Sequence, residues 1–246
     1  MKQTLVFLHG YPLNHTMWNP QREALQSKYN VITPDFAGFG NTPARENLSM
    51  ESYADDLAAQ LDEQGLEKIT LIGFSMGGYV AFAFLRKYPE KVQALVLVDT
   101  QAKTDTLESR ENRLKQVTIV QERGVAPIRD TMLDKLFSNH TKQHHPEIVR
   151  IVDEMIMTAT PEGVQTALQA MANRPDMVEF LPSIRIPTLV FVGEDDVITP
   201  LDAAKLMADR IPNAHLHTIP NAGHLSNFEQ TQAFNSALEN FLTTAL

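Results

Sequence analysis

The stretch Ile69-Thr70-Leu71-Ile72-Gly73-Phe74-Ser75-Met76-Gly77-Gly78-Tyr79 runs from apolar and β-branched residues into a G-x-S-x-G turn. It continues as Val80-Ala81-Phe82-Ala83-Phe84-Leu85, a helical run that ends before Pro89. Strand, glycine-serine-glycine turn and helix in that order place the serine at the apex of a sharp corner. Gly73 and Gly77 avoid side-chain clashes across the corner, and the apex residue is held in a strained backbone conformation. Ser75 is thereby presented at the carboxyl end of the strand as a candidate nucleophile. The Met76 N–H, at the helix N-terminus, is a candidate donor to a developing oxyanion.

On either side of this corner, short apolar runs recur at 4–8, 31–33, 69–72, 94–98, 188–192 and 214–219. Continuous apolarity over so few residues is the pattern of a parallel strand covered on both faces. Helical patterns separate the runs. Met50, Tyr53, Ala54, Leu57, Ala58 and Leu61 share one face, with Ser49 as N-cap and Gly65 as the stop. Thr199-Pro200 reads as a cap and first-turn proline, and Ser226 with Glu229 reads as a capping box ahead of Phe234, Ala237, Leu238, Phe241 and Leu242. Strands alternating with helices predict an α/β fold, a doubly wound parallel sheet.

The alternation stops over residues 101–183, which show helical faces only: Val125, Ile128, Met132, Leu133, Leu136; Ile148, Ile151, Val152, Met155, Ile156, Ala159; Val164, Ala167, Leu168, Met171. Pro146 and Pro161 stand where first-turn prolines belong, Gly124 separates two helices, and His144 and His145 open a helix. An all-helical cap is therefore expected over 101–183, inserted between two strands of a core made of 1–100 and 184–246.

The chain has 246 residues, 43% hydrophobic and 21% charged, which excludes disordered and low-complexity classes. Lys plus Arg number 21 against 30 Asp plus Glu, a formal charge of −9, which argues against nucleic acid and anionic membrane surfaces as partners. Cysteine is absent, which removes disulfides, thiolate metal sites and a cysteine nucleophile. No run approaches the ~18 apolar residues of a membrane span, and the apolar run after Lys2 is too short for a secretory leader, so a cytoplasmic location is expected.

A serine nucleophile needs a base. Of eight histidines, His224 in Asn221-Ala222-Gly223-His224 follows the last strand and arrives at the same rim as Ser75. His215 and His217 lie within the last strand, and His15 and His140 have no motif around them. The acid that orients the imidazole is sought in Val192-Gly193-Glu194-Asp195-Asp196-Val197-Ile198-Thr199-Pro200. Asp196 is the choice, with Asp195 and Asp99 as alternatives. The second oxyanion donor is assigned to the Tyr11 N–H in His9-Gly10-Tyr11-Pro12, after the first strand. Gly38-x-Gly40 lacks a third glycine and meets Pro43 where a helix would run, so no dinucleotide site is read there. No cofactor and no metal are expected.

These segments, with Asp35-Phe36-Ala37-Gly38-Phe39-Gly40 and Gly193-Glu194-Asp195-Asp196, resemble the α/β-hydrolase superfamily over nearly the whole chain, most of all its small esterase, enol-lactonase and perhydrolase-like enzymes. The resemblance implies Ser75, Asp196 and His224 as nucleophile, acid and base, Tyr11 and Met76 as oxyanion donors, and the helical insertion as a cap over the site. Many members carry a hairpin before the first parallel strand. Here that strand begins at Thr4, so a shortened, mostly parallel sheet of about six strands flanked by helices is expected, with an edge shielded by a helix or a second subunit. Asn41 replaces a common serine after Gly40, a matter of loop geometry.

The expected activity is hydrolysis of short-to-medium acyl or aryl carboxylic esters through an acyl-enzyme. Lactonase, C–C hydrolase, perhydrolase or acyltransferase chemistry on the same triad are the alternatives, and a receptor-like ligand binder is the non-enzyme alternative. The partner is a small-molecule ester, and the chain is expected to be a monomer or homodimer. Met132, Met155, Met171 and Phe137 of the cap, with Trp18, Phe74, Val197 and Leu225 beside the motifs, are the candidate pocket lining. No arginine lies in the triad motifs, which disfavours a strongly anionic substrate unless cap arginines such as Arg110 or Arg174 reach the site.

Overall fold

Thr4, Leu5, Val6, Phe7 and Leu8 are all buried, as a strand with helices on both faces requires. In the computed structural model, which describes residues 2–245, they form β1 (Thr4–Leu8) of a six-stranded sheet. The other strands are β2 (Asn30–Ile32), β3 (Ile69–Phe74), β4 (Val92–Val98), β5 (Thr188–Gly193) and β6 (Ala214–Ile219), in the order β2-β1-β3-β4-β5-β6. Every pairing is parallel. Leu8 lies beside Gly73, Phe74 beside Val98, Val98 beside Phe191, and Gly193 beside Ile219, so the carboxyl ends share one rim. Loops leaving these ends converge there, where α/β sheets bind their ligands.

The central strands β3 and β5 are buried throughout. The edge strand β6 alternates in exposure, with His215 and His217 on its solvent side. The helices α1 (Asn19–Leu25), α2 (Met50–Glu63) and α3 (Met76–Lys87) flank the sheet. In α2 the Ser49 hydroxyl accepts from the Ser52 amide, and Met50, Tyr53, Ala54, Leu57, Ala58 and Leu61 form its buried face.

Between β4 and β5 the chain is helical: α4 (Leu107–Arg123), α5 (Ala126–Leu136), α6 (Asn139–His144), α7 (Pro146–Ile156) and α8 (Pro161–Ala172). Pro146 and Pro161 occupy first-turn positions. His144 and His145 do not open one helix together. His144 closes α6 and His145 is the N-cap of α7.

Two expected caps are built differently. Pro200 is the N-cap of α9 (Leu201–Arg210) with no side-chain bond, because the Thr199 hydroxyl is taken by Asp196 at 2.6 Å. Ser226 and Glu229 form no capping box. The terminal helix is divided into α10 (Ser226–Glu229) and α11 (Thr231–Ala245), and both side chains are engaged by groups remote in sequence, described below. Among the described residues no helix is long and apolar enough to cross a membrane.

Candidate active site

Ser75 stands between β3 and α3 at φ 49°, ψ −113°, a conformation that costs about 1–3 kcal/mol and is held by its surroundings. Its amide donates to Val98 O at 3.0 Å, and its carbonyl accepts from the Gly78 amide at 2.9 Å and from Thr100 Oγ1 at 2.8 Å. A Cβ on Gly73 would lie 2.5 Å from Gly77 O, and one on Gly77 would lie 2.4 Å from Leu8 O. The corner closes only with glycine at both positions.

The loop after β6 brings His224 onto this corner. Ser75 Oγ and His224 Nε2 are 2.9 Å apart, and His224 Nδ1 and Asp196 Oδ2 are 2.8 Å apart. An ionised carboxylate can only accept, so Nδ1 carries the proton and Nε2 is free to accept from the serine hydroxyl. Asp196 also accepts from the Ile198 amide (2.8 Å), the Thr199 amide (3.0 Å) and the Thr199 hydroxyl (2.6 Å). Burial alone would raise the Asp196 carboxyl. The charge and hydrogen bond of His224 and the Thr199 donors outweigh it and hold the carboxyl below its ordinary range. Burial likewise opposes charge on His224, but Asp196 foremost, with Asp99 and Glu229, raises the imidazole above its usual value. The Phe74 ring packs on the His224 ring at 5.0 Å.

Of the three carboxylates considered for the acid, only Asp196 meets His224 Nδ1. Asp195 is exposed. Asp99 is fully buried and is engaged elsewhere, accepting from the Gly193 amide at 2.8 Å and from the Ser226 amide and hydroxyl at 3.2 and 2.5 Å. Burial, then the neighbouring Asp196 charge, pushes the Asp99 carboxyl well above the carboxylate range.

Glu229 is a site residue that periodicity assigned elsewhere. Its Oε1 accepts from the Gly223 amide at 2.8 Å, and its Oε2 accepts from the Ser138 amide and hydroxyl at 2.8 and 2.9 Å. One buried carboxylate thus ties the His224 loop to the turn between α5 and α6, where Ser138 is the N-cap of α6. The His224 amide completes the strap by donating to Leu136 O at 2.9 Å.

The Tyr11 and Met76 amides take no part in the turn and loop hydrogen bonds among the described residues. The preceding His9 is buried, with Nδ1 donating to Gly10 O at 2.9 Å and Nε2 accepting from the Phe36 amide at 3.0 Å. Burial lowers its pKa to about 4, so it is a neutral brace for the turn.

A cleft of about 300 Å³ opens over Ser75 and His224. Met132, Met171 and Val197 line it, together with Tyr11, Tyr79 and Ile198. Trp18, Phe74, Phe137, Met155 and Leu225 do not line it. Each is buried in the core; Trp18, for example, packs on Phe7, Phe74 and Phe234 at 5.0, 6.3 and 6.4 Å. Trp18, Phe74 and Leu225 are candidates by closeness to a motif along the chain, and Phe137 and Met155 as apolar residues of the cap, and in each case the side chain is taken up in packing. The rest of the lining is polar: Gln101, Asp105, Ser109, Asn112, Arg113, Gln116 and Lys135. Arg113 is the arginine that reaches the cleft. Arg110 donates instead to Ala172 O and Asn173 Oδ1, at 3.1 and 3.0 Å, and Arg174 is buried behind the wall, 4.2 Å from the Tyr79 ring centroid. Among the described residues no group of three His, Asp or Glu could hold a metal.

A nucleophile at a glycine corner, a base backed by a buried acid, and a helical cap over a parallel sheet together define a serine hydrolase. A family model described as alpha/beta hydrolase fold matches residues 3–231, and the chain belongs to that family. A thermophilic esterase from Thermogutta terrifontis, solved with malate bound, superposes with a TM-score of 0.97 at 41% identity, covering 100% of this chain and 91% of its own. The 3-oxoadipate enol-lactonase 2 of Acinetobacter baylyi is 30% identical over 97% of this chain and 88% of its own. A pimeloyl-[acyl-carrier protein] methyl ester esterase of Neisseria meningitidis is 26% identical over 96% and 91%.

Proposed function

We propose that the protein is a carboxylesterase acting on short-to-medium acyl or aryl esters, with residues 101–183 as the cap that covers its substrate. The observation that carries the reading is the continuous chain Ser75 Oγ, His224 Nε2, His224 Nδ1, Asp196 Oδ2, with links of 2.9 and 2.8 Å. His224 takes the Ser75 proton as Oγ attacks the ester carbonyl, and the tetrahedral oxyanion is met by the Tyr11 and Met76 amides. Collapse breaks the ester C–O bond, the leaving alkoxide takes the proton from His224, and the acyl group stays on Ser75. Water then attacks that acyl group, giving its proton to His224, and the acid departs as the proton returns to Ser75. Asp196 remains ionised and steadies the imidazolium.

Lactone opening is the second reading, since a tethered leaving alkoxide needs no other chemistry. The polar wall of the cleft and the similarity to an enol-lactonase favour it. The two are separated by kcat/KM on p-nitrophenyl esters of rising chain length beside a panel of lactones. Esterase function predicts the highest values on acyl chains short enough for a cleft of about 300 Å³. Turnover confined to lactones would replace the first reading by the second.

A further inference from the structure

The inward face of α4 is polar. Ser109, Asn112, Arg113 and Gln116 recur at helical spacing and all line the cleft above Ser75. Ser109 and Asn112 are exposed to solvent, whereas Arg113 and Gln116 are half-buried in the cleft wall, and it is for these two partly desolvated groups that a polar ligand would supply partners.

The charges on that wall do not cancel. Asp105 is shared by two guanidinium groups: Arg113 Nε donates to Oδ2 at 2.6 Å, and Arg174 Nη2 lies 2.8 Å from Oδ1. One carboxylate cannot neutralise two arginines. Arg174 is the enclosed member, its side chain 3% exposed, stacked on Tyr79 and donating to the Met171 and Lys103 carbonyls at 2.8 and 3.0 Å. Arg113 is the member that faces the cleft, its side chain 24% exposed. Asp105 accepts from Arg113 Nε at 2.6 Å and, at the longer distance of 3.4 Å, from Nη2, and Nη1 has only the Met171 sulfur, a weak acceptor, at 3.5 Å. Lys135 adds a second cation to the lining, in which Asp105 is the one carboxylate. This cationic wall belongs to a chain whose formal charge is −9.

A second observation is independent of the charges. The Tyr11 hydroxyl is buried and has no hydrogen-bond partner among the described residues, and Tyr11 lines the same cleft. Leaving such a group bare costs about 1–3 kcal/mol, and a ligand acceptor would relieve it.

We propose that the ester or lactone hydrolysed here carries a free carboxylate, which binds the Nη groups of Arg113, Nη1 foremost, with the Tyr11 hydroxyl as a further donor and Lys135 as a nearby cation. The planar guanidinium fork matches a carboxylate and selects it over a neutral ester group. The inference rests on the serine-hydrolase reading above and names its substrate class.

The test uses two matched pairs of substrates on the full chain. Monomethyl glutarate against dimethyl glutarate places the carboxylate on the acyl side. Butyrate esters of 4-hydroxybenzoate and of phenol place it on the leaving group. In at least one pair, wild type is expected to favour the charged ester about tenfold or more in kcat/KM. Arg113→Gln is expected to bring that ratio to within about threefold of unity, and Arg113→Lys to recover part of it. Glutarate is expected to compete with phenyl butyrate in wild type and to lose most of that competition in Arg113→Gln. A wild-type preference for the neutral ester in both pairs overturns the proposal, as does a ratio unchanged by Arg113→Gln. Should Arg113→Gln fail to fold, the wild-type ratios and the Arg113→Lys variant still decide. Hydrolysis of neutral esters with no charge preference sinks this inference alone, whereas failure on every ester and lactone sinks the hydrolase reading with it.

Discussion

Replacing Glu229 by glutamine tests whether the base is held in place by the cap. The carboxylate accepts from the Gly223 amide on one oxygen and from the Ser138 amide and hydroxyl on the other. Glutamine offers one acceptor oxygen and one NH2 donor, so one of these two backbone amides must lose its partner and face another donor. A hydrogen bond to a charged partner is worth about 1.5–3 kcal/mol, and a buried donor left bare costs about 1–3 kcal/mol. The expected loss is about 2–4 kcal/mol, or a fall in Tm of about 4–16 °C for a chain of this size. Because Gly223 precedes His224 and the His224 amide is anchored on Leu136 O at 2.9 Å, kcat should fall by about tenfold or more as the imidazole shifts. Urea unfolding followed by circular dichroism, beside p-nitrophenyl butyrate kinetics, reads both effects. Glu239→Gln is the control, since Glu239 pairs with the exposed Lys28 at 2.9 Å and such a pair is worth at most about 1 kcal/mol. If Glu229→Gln matches that control in stability and wild type in kcat, the strap does not position the base.

The acid is checked by comparing two buried carboxylates. Asp196→Asn should lower kcat by about 10⁴-fold through loss of the Nδ1–H tautomer, while Asp99→Asn, which touches Gly193 and Ser226 and not the imidazole nitrogens, should cost far less; the reverse order would reassign the acid. The pH profile follows from His224. The base must be neutral to take the Ser75 proton, so kcat/KM should fall as the imidazole is protonated, and since its pKa is raised the acid limb should have its midpoint above about 6.5. A midpoint at or below 6.5 in wild type would contradict the raised value, and the Asp196→Asn residual activity should show the midpoint displaced downward.

How far the fold could be read from the sequence depends on where each side chain finds its partner. Strands such as β5, buried on both faces, write their environment into a continuous apolar run, and the corner around Ser75 is legible because Gly73 and Gly77 have no substitute there. Ser226 and Glu229 have the spacing of a capping box, yet their partners are Asp99 just after β4, Ser138 in the turn after α5, and Gly223 in the His224 loop, and these hydrogen bonds outcompete the local ones. Thr199 was drawn away from a helix start by Asp196 in the same way. The face of α4 was invisible to a hydrophobic period because its inward stripe is Ser109, Asn112, Arg113 and Gln116. That helix buries a single apolar residue, Val120. Arg113 was missed for the same reason, and only the folded cleft, which Arg113 lines while Arg174 is buried behind it, distinguishes the two cap arginines that share Asp105.

The central claim is that Ser75, activated by His224, forms the acyl-enzyme. Incubation with a fluorophosphonate followed by peptide mass spectrometry measures it directly. A single adduct on Ser75, appearing in step with loss of ester hydrolysis and absent in Ser75→Ala, with turnover of that variant reduced by about 10⁴–10⁶-fold, is the result predicted. An adduct elsewhere, or a Ser75→Ala variant that keeps its activity within about tenfold of wild type, would contradict it.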